Sequence, residues 1–263
     1  MAGDSTTEEN SAFWLDGHGR KVDILAKIFK IGNYPADKLT IYNEGYGARA
    51  TQEFVGTNQF YSYDSDKTDY PNGTLDVAMK LNPDLLIFGY GINDATRGTL
   101  NGTLPSIPAR VQMFERNLYE FLKRVRGTAA VNGRPAYGRD TDSLSIILTV
   151  PNTTNNPNGR HREDWHEYIR PIIFRAAREY QCAVVDFCQR YYDRDSTSLM
   201  WSSFNVSPYY DKHDGLHPTP YTNADMMSLM QEIVYPMGLW KVDDVSYPIM
   251  FRGKNTTISG DTV

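Results

Sequence analysis

The chain has 263 residues, 40% of them hydrophobic, and a net charge of −5, which suits one large domain with a real core, or one domain and a small appendage. Mean hydropathy is −0.52, and no apolar run approaches the ~20 residues of a membrane span. The acidic balance, with a sequence pI of about 5.6, argues against a polyanion such as DNA as partner; a neutral or acidic polysaccharide stays compatible.

Only Met1 and Ala2 precede Gly3-Asp4-Ser5. A core strand takes about five residues, so the strand ahead of this motif is either very short or continues upstream; an excerpt from a longer protein is the expectation. Val22, Leu25, Ile28 and Phe29 recur at helical spacing and predict a helix over 20–31. Residues 39–42 read as a strand. The polar stretch 52–73, with Tyr61, Tyr63 and Tyr70, reads as a long loop that walls a cleft. A short helix over 75–81 stops near Pro83, and Leu85-Leu86-Ile87-Phe88 forms a buried strand ending at Gly89. Gly91-Ile92-Asn93-Asp94 then sits at the C-terminal edge of that strand, where sites form in open α/β sheets.

The spacing of Val111, Phe114, Leu118, Phe121, Leu122 and Val125 predicts a long amphipathic helix. A strand over 144–150 and a helix over 163–180 come next, the helix kinked or interrupted by Pro171. Cys182 and Cys188 flank a strand over 183–187. Six residues along a strand span ~20 Å, too far for a disulfide, so two free buried thiols are expected. Residues 190–213 are irregular, Asp214-Gly215-Leu216-His217 lies on a loop, and a helix over 221–235 closes the domain. This gives a domain over 1–237 and a polar tail over 238–263, a linker or the start of another module. Alternating strands and helices predict an α/β fold: a three-layer α/β/α sandwich around a parallel sheet of about five strands.

Three motifs, in this order, supply what acyl transfer by a serine needs. Ser5 is the candidate nucleophile, His217 the base that takes its proton, and Asp214 the carboxylate that orients the imidazole. Asn93 offers a side-chain amide to the oxyanion of the tetrahedral intermediate. Gly3 to Ser5, Gly91 to Asp94 and Asp214 to His217 match three blocks of the SGNH hydrolases, or GDSL-type esterases, and the chain resembles that family over about residues 3–235. The family's second block reads Asn-x-x-x-x-Gly. Here it reads Asn43-Glu44-Gly45-Tyr46-Gly47-Ala48-Arg49, with Ala48 in the glycine's place and Gly47 one position early. The resemblance implies a flavodoxin-like sandwich and an oxyanion hole formed by the N–H groups of Ser5 and of Ala48 or Gly47, with the Asn93 amide. Ala2 to Thr6 and Arg49 are closest in style to the rhamnogalacturonan acetylesterase branch.

Other candidates have plainer readings. Asp94 is expected to fix its loop. His213 lacks the Asp-x-x-His spacing. His161 and His166 read as a solvated helix start, and Asp193 and Asp195 lack the rest of a calcium loop; no metal and no cofactor are expected. Arg49 and Arg97 follow blocks two and three and are candidate contacts for an acidic sugar, with surface salt-bridging an equal alternative. The expectation is a serine esterase removing O-acetyl groups from a polysaccharide. The alternatives are a general acyl-esterase or lipase, and a non-catalytic glycan-binding or structural module. Polar flanks and the excerpt reading suggest part of a larger extracellular or virion-associated protein, similar to SGNH domains on phage tail spikes. A trimer would suit that setting, although no residue shows one.

Overall fold

A computed structural model of the protein describes residues 1–8, 20–31, 39–47, 49–57, 73–96, 104–152, 165–189 and 220–234. Five strands form one sheet: β1 (Ala2–Gly3), β2 (Glu44–Gly45), β3 (Leu85–Gly89), β4 (Ser145–Val150) and β5 (Ala183–Asp186). Their order is β2-β1-β3-β4-β5, and every neighbouring pair is parallel. Seven described α-helices accompany them: α1 (Ser5–Glu8), α2 (Lys21–Ile31), α3 (Thr51–Val55), α4 (Thr74–Lys80), α5 (Ile107–Arg126), α6 (Trp165–Tyr180) and α7 (Pro220–Val234). A single 3-10 turn, Asn93–Thr96, follows β3.

The apolar runs of β3 and β4 fit a sheet covered on both faces. Leu86, Phe88, Ile146 and Leu148 point into a core shared with α3, α4, α5 and α6. Ile87, Ile147 and Val185 point the other way, onto Leu25 of α2 and Met226, Met227, Met230 and Val234 of α7. The expected three layers follow directly from this alternation. In the larger core Phe121 stacks on Phe88 with centroids 5.2 Å apart and meets Phe54 edge-on at 5.1 Å. Pairs of this kind add about 0.5–1.5 kcal/mol to the burial of their area.

Local sequence explains the helix limits. Ser106 precedes α5 and its Oγ accepts from the Ala109 N–H at 3.4 Å, with a proline in the first turn. Lys123, Arg124 and Arg126 occupy the last turn, where cations oppose the negative helix end. Arg124 is fully buried. Its guanidinium donates to Asp76 Oδ1 at 2.7 Å, Val55 O at 3.0 Å and Pro135 O at 2.9 Å, tying α5 to α3, α4 and the following loop.

Three expectations need correcting. The strand predicted over 39–42 lies instead at Glu44–Gly45, in register with Ala2 and Gly3 of β1, while the Tyr42 carbonyl accepts from the Met1 amino group at 2.7 Å. Residues 51–55, assigned largely to a loop, form α3, and all five are buried; Phe54 and Val55 belong to the core, while residues 58–72 of the predicted cleft wall lie outside the described residues. Pro171 does not interrupt α6, which runs unbroken from Trp165 to Tyr180. Pro171 is exposed, so the helix carbonyl it leaves unbonded is on the solvent side, and buried Ile169, Ile172 and Ile173 hold both sides of it to the core. Both cysteines are free as expected; Cys188 is buried, whereas Cys182 is only half-buried. Residues 190–213 and 238–263 lie outside the described residues.

A cavity of about 360 Å³ opens at the N-terminal ends of the strands, lined by Met1, Ala2 and parts of 39–42 and 81–87. The candidate chemistry is at the other end of the sheet.

Candidate active site

Parallel strands β2, β1 and β3 are neighbours, so the three sequence blocks that follow them emerge side by side at one sheet edge. Gly3 of β1 is in register with Gly45 of β2 and Gly89 of β3. The Tyr46 N–H donates to Gly3 O at 2.9 Å, and Asn43 Oδ1 accepts from the Gly45 N–H at 3.0 Å, which shapes the turn leaving β2. Gly3 is there for space: a Cβ on it would overlap Thr7 Oγ1 and lie 3.0 Å from Gly89 O.

Asp4 is buried, and its Oδ1 accepts from both the N–H and the hydroxyl of Thr6 at 2.9 Å. This is a helix cap, and it makes Ser5 the first residue of α1. The first N–H groups of a helix have no partner within it, which is the property an oxyanion donor needs.

Asn93 opens the 3-10 turn after β3 and is 5% exposed. Its Nδ2 donates to Arg49 O at 3.0 Å, so blocks two and three touch through the residue expected to face the oxyanion. Gly91, just before it, has φ +131°, a conformation for which a side chain is poorly suited, and a Cβ there would press on Ile169 Cδ1 at 3.1 Å. Gly91 O accepts from Trp165 Nε1 at 2.8 Å. Arg110 of α5 donates to Ala95 O and lies 5.7 Å from the Trp165 ring centroid.

Asp94 does more than its sequence position shows. Its carboxyl receives the Thr51 N–H at 3.3 and 3.2 Å on its two oxygens, and also the Thr51 hydroxyl. Thr51 Oγ1 in turn accepts from Asn117 Nδ2 at 3.1 Å, and Asn117 Oδ1 accepts from Thr57 at 3.2 Å. Burial, opposed by the Thr51 bonds and reinforced by Glu53 and Asp4, pushes the Asp94 pKa from 3.8 up to about 7. A carboxyl whose proton is held more tightly in the folded state stabilises the fold most below about pH 4, and that contribution is lost as pH rises to 7. Relative to Asp94→Asn, which does not titrate, the wild-type melting temperature should therefore fall across this window, by about 10 °C for a chain of this size. Parallel Tm curves for the two proteins from pH 4 to 8 would contradict the assignment.

Gly47 is exposed in the turn after β2, and Arg49 is half-buried with its N–H on Tyr46 O at 3.3 Å. Thus the backbone at Ser5, with Gly47, Arg49 and Asn93, gathers at one edge, which can surround a small anionic centre with backbone and amide donors. The Ser5 side chain, Ala48, Arg97, Asp214 and His217 lie outside the described residues. His166 corrects an expectation: it is 3% exposed on α6, not solvated, because the second position of this helix faces inward beside Trp165. Among the described residues no cluster of three His, Cys, Asp or Glu side chains could hold a metal. Thr51, Asn117, Arg110 and Trp165 escaped the sequence reading. They are ordinary polar and aromatic residues outside the motifs; Thr51 follows block two by two residues, while Arg110, Asn117 and Trp165 are distant in sequence and only the fold brings them to the site.

The fold is a three-layer α/β/α sandwich, and the candidate site lies at the C-terminal ends of β1, β2 and β3. The model of the GDSL-like Lipase/Acylhydrolase family matches residues 1–224, and the chain belongs to that family of carboxylic ester hydrolases. Solved structures share the fold. An acetyl xylan esterase aligns with TM-score 0.56 and 14% identity over 88% of this chain and 96% of its own. A lipase/acylhydrolase from Enterococcus faecalis gives 0.55 and 16%, over 92% and 96%. A carbohydrate acetylesterase family member from Sinorhizobium meliloti gives 0.52 and 17%, over 90% and 97%. No curated protein matches the sequence.

Proposed function

We propose that the protein is a serine esterase that removes O-acetyl groups from a polysaccharide. The observation that carries this reading is the buried Asn93 amide, held on Arg49 O at 3.0 Å beside the strand end from which Ser5 opens α1. In the proposed reaction Ser5 Oγ attacks the acyl carbonyl while His217 takes its proton, and Asp214 orients the imidazole. The Ser5 N–H, the N–H of Gly47 or Ala48, and the Asn93 amide hold the oxyanion. The sugar hydroxyl leaves with the proton from His217, and water then cleaves the acetyl-enzyme by the same route. No cofactor takes part. Arg49 and Arg97 are proposed to meet an acidic sugar at the mouth of the site. An acetyl xylan esterase and a carbohydrate acetylesterase family member are among the proteins of similar fold and are compatible with a carbohydrate ester, as a lipase/acylhydrolase is with a lipid ester.

The test is acetate release from p-nitrophenyl acetate and from a panel of O-acetylated polysaccharides, with fluorophosphonate labelling and Ser5→Ala as control. Ser5-dependent release from a polysaccharide is the expected result. Release from the small ester alone, or preference for longer acyl esters, would overturn the carbohydrate assignment. Folded protein that neither labels at Ser5 nor turns over would overturn the esterase.

A further inference from the structure

The carboxyl of Asp94 is buried, is next in sequence to the proposed oxyanion donor, and holds a residue of a different chain segment. Asn93 Nδ2 bonds Arg49 O at 3.0 Å, and one residue further on Asp94 bonds the Thr51 N–H at 3.2 and 3.3 Å and the Thr51 hydroxyl. The two segments are joined like two rungs of a ladder, two residues apart on one side and adjacent on the other. We propose that Asp94 is a positioning residue for the oxyanion site, clamping the segment 49–51 so that the Asn93 amide keeps its aim. This rests on the reading of Asn93 as an oxyanion donor.

The surroundings show why this one side chain is needed. Ala50, just before α3, has no acceptor with which to cap the helix, and the first N–H groups are met by carboxylates instead. Glu53 Oε2 takes the Ala50 N–H at 2.8 Å, and Asp94 takes that of Thr51. Thr51 Oγ1, fixed from behind by Asn117, gives its hydrogen to Asp94. On the other side the 3-10 turn is anchored at Gly91 O by Trp165 and at Ala95 O by Arg110. Without Asp94 the turn would stay anchored, but the acceptor of the Asn93 amide would be free to shift. A misplacement of about 1 Å at such a group costs on the order of 100-fold in rate.

Charge makes the clamp sensitive to pH. Among the described residues the ionisable groups facing Asp94 are Glu53 on α3 and Asp4 at the β1–α1 turn, both acidic; α5 brings neutral Asn117 to Thr51 and cationic Arg110 to Ala95 O. With its proton, Asp94 keeps a further negative charge away from the place where an oxyanion must form. Once ionised, above about pH 7, it adds that charge in a dry site and opposes the transition state. Activity should therefore rise as His217 loses its proton and fall again as Asp94 loses its own.

The experiment measures kcat and KM on p-nitrophenyl acetate from pH 5 to 9 for wild type, Asp94→Ala, Asp94→Asn, Thr51→Val and Ser5→Ala. Asp94→Ala is expected to lower kcat about 100-fold with KM within about 3-fold, the pattern of an interaction that matters in the transition state. Thr51→Val should lower kcat in the same direction by a smaller factor. Asp94→Asn, which keeps an acceptor for Thr51 but does not titrate, should recover at least about 10-fold of that loss and lack the alkaline fall seen in wild type. The last comparison needs only a conservative variant and stands even if Asp94→Ala fails to fold. Asp94→Ala turning over like wild type, or an alkaline limb unchanged in Asp94→Asn, would overturn the proposal while Ser5-dependent turnover left the esterase intact. Absence of Ser5-dependent turnover in wild type would overturn the esterase reading, and this proposal with it.

Discussion

Asn93→Ala is expected to slow acetyl-ester hydrolysis by about 100- to 1,000-fold, the usual loss when one oxyanion donor is removed from a preorganised site. The bulk of the loss should fall on kcat, because the amide is matched to charge that develops only in the tetrahedral intermediate. A smaller part comes from position: the substitution also leaves Arg49 O without the donor it has at 3.0 Å. Asn93→Asp separates the parts, since a carboxylate cannot donate and brings repulsion to the oxyanion; it should be at least as slow as the alanine variant. The far-UV circular dichroism of both should match wild type, because Gly91 and Ala95 stay tied to Trp165 and Arg110. Steady-state kinetics on p-nitrophenyl acetate checks this, and a kcat for Asn93→Ala within 3-fold of wild type would remove Asn93 from the proposed oxyanion hole.

Arg124→Ala is expected to have the largest effect on stability, about 3–5 kcal/mol, the usual cost of removing one member of a buried ion pair. The guanidinium is fully buried and satisfies Asp76 Oδ1, Val55 O and Pro135 O together. Its removal takes a donor from Val55 O and Pro135 O, leaves Asp76 Oδ1 with the Tyr137 hydroxyl in place of a cation, and opens space beside Tyr137, whose ring centroid lies 5.6 Å from the guanidinium carbon. For a chain of this size the melting temperature should drop by about 10 °C. Arg124→Met together with Asp76→Leu removes both charges and keeps the packing, so it should recover much of that loss. A thermal melt decides it: a single-variant shift below about 2 °C would show that the network contributes little.

The sheet and its helices were legible because their cause is periodic. Leu85 to Phe88 and the run over 144–150 can only be covered on both faces, and Phe114, Leu118, Phe121 and Val125 recur at one helix face. Asn93 was legible for another reason: a motif at the end of a core strand can be placed once the strand is known. Three features needed the fold. α3 is five residues long, too short for a pattern to show. The run over 39–42 has a regular apolar pattern, yet a strand is defined by its partner, and the ladder with β1 is in register at Glu44 and Gly45. The Asp94–Thr51–Asn117 chain joins residues 43 and 66 positions apart, and nothing in a single sequence marks hydroxyls and amides that will meet at such distances. At Pro171 the helix is not interrupted: burial on both sides of the proline outweighs one lost hydrogen bond.

The packing of α1 on the sheet also limits how this protein can change. Thr7 Oγ1 occupies the space that side chains on Gly3 and Gly89 would need, with an added Cβ at Gly89 only 2.8 Å from it. Two strands and the helix carrying Ser5 thus share one site of steric contact. No single step that enlarges Gly3 is open while threonine stays at position 7; a route through sequence space must first shorten Thr7. Libraries that vary positions 3 and 89 one at a time will record two intolerant sites, whereas joint variation with position 7 will reveal one coupled choice. Whether the helix start can be re-aimed toward a bulkier acyl group depends on the order in which those three substitutions arrive.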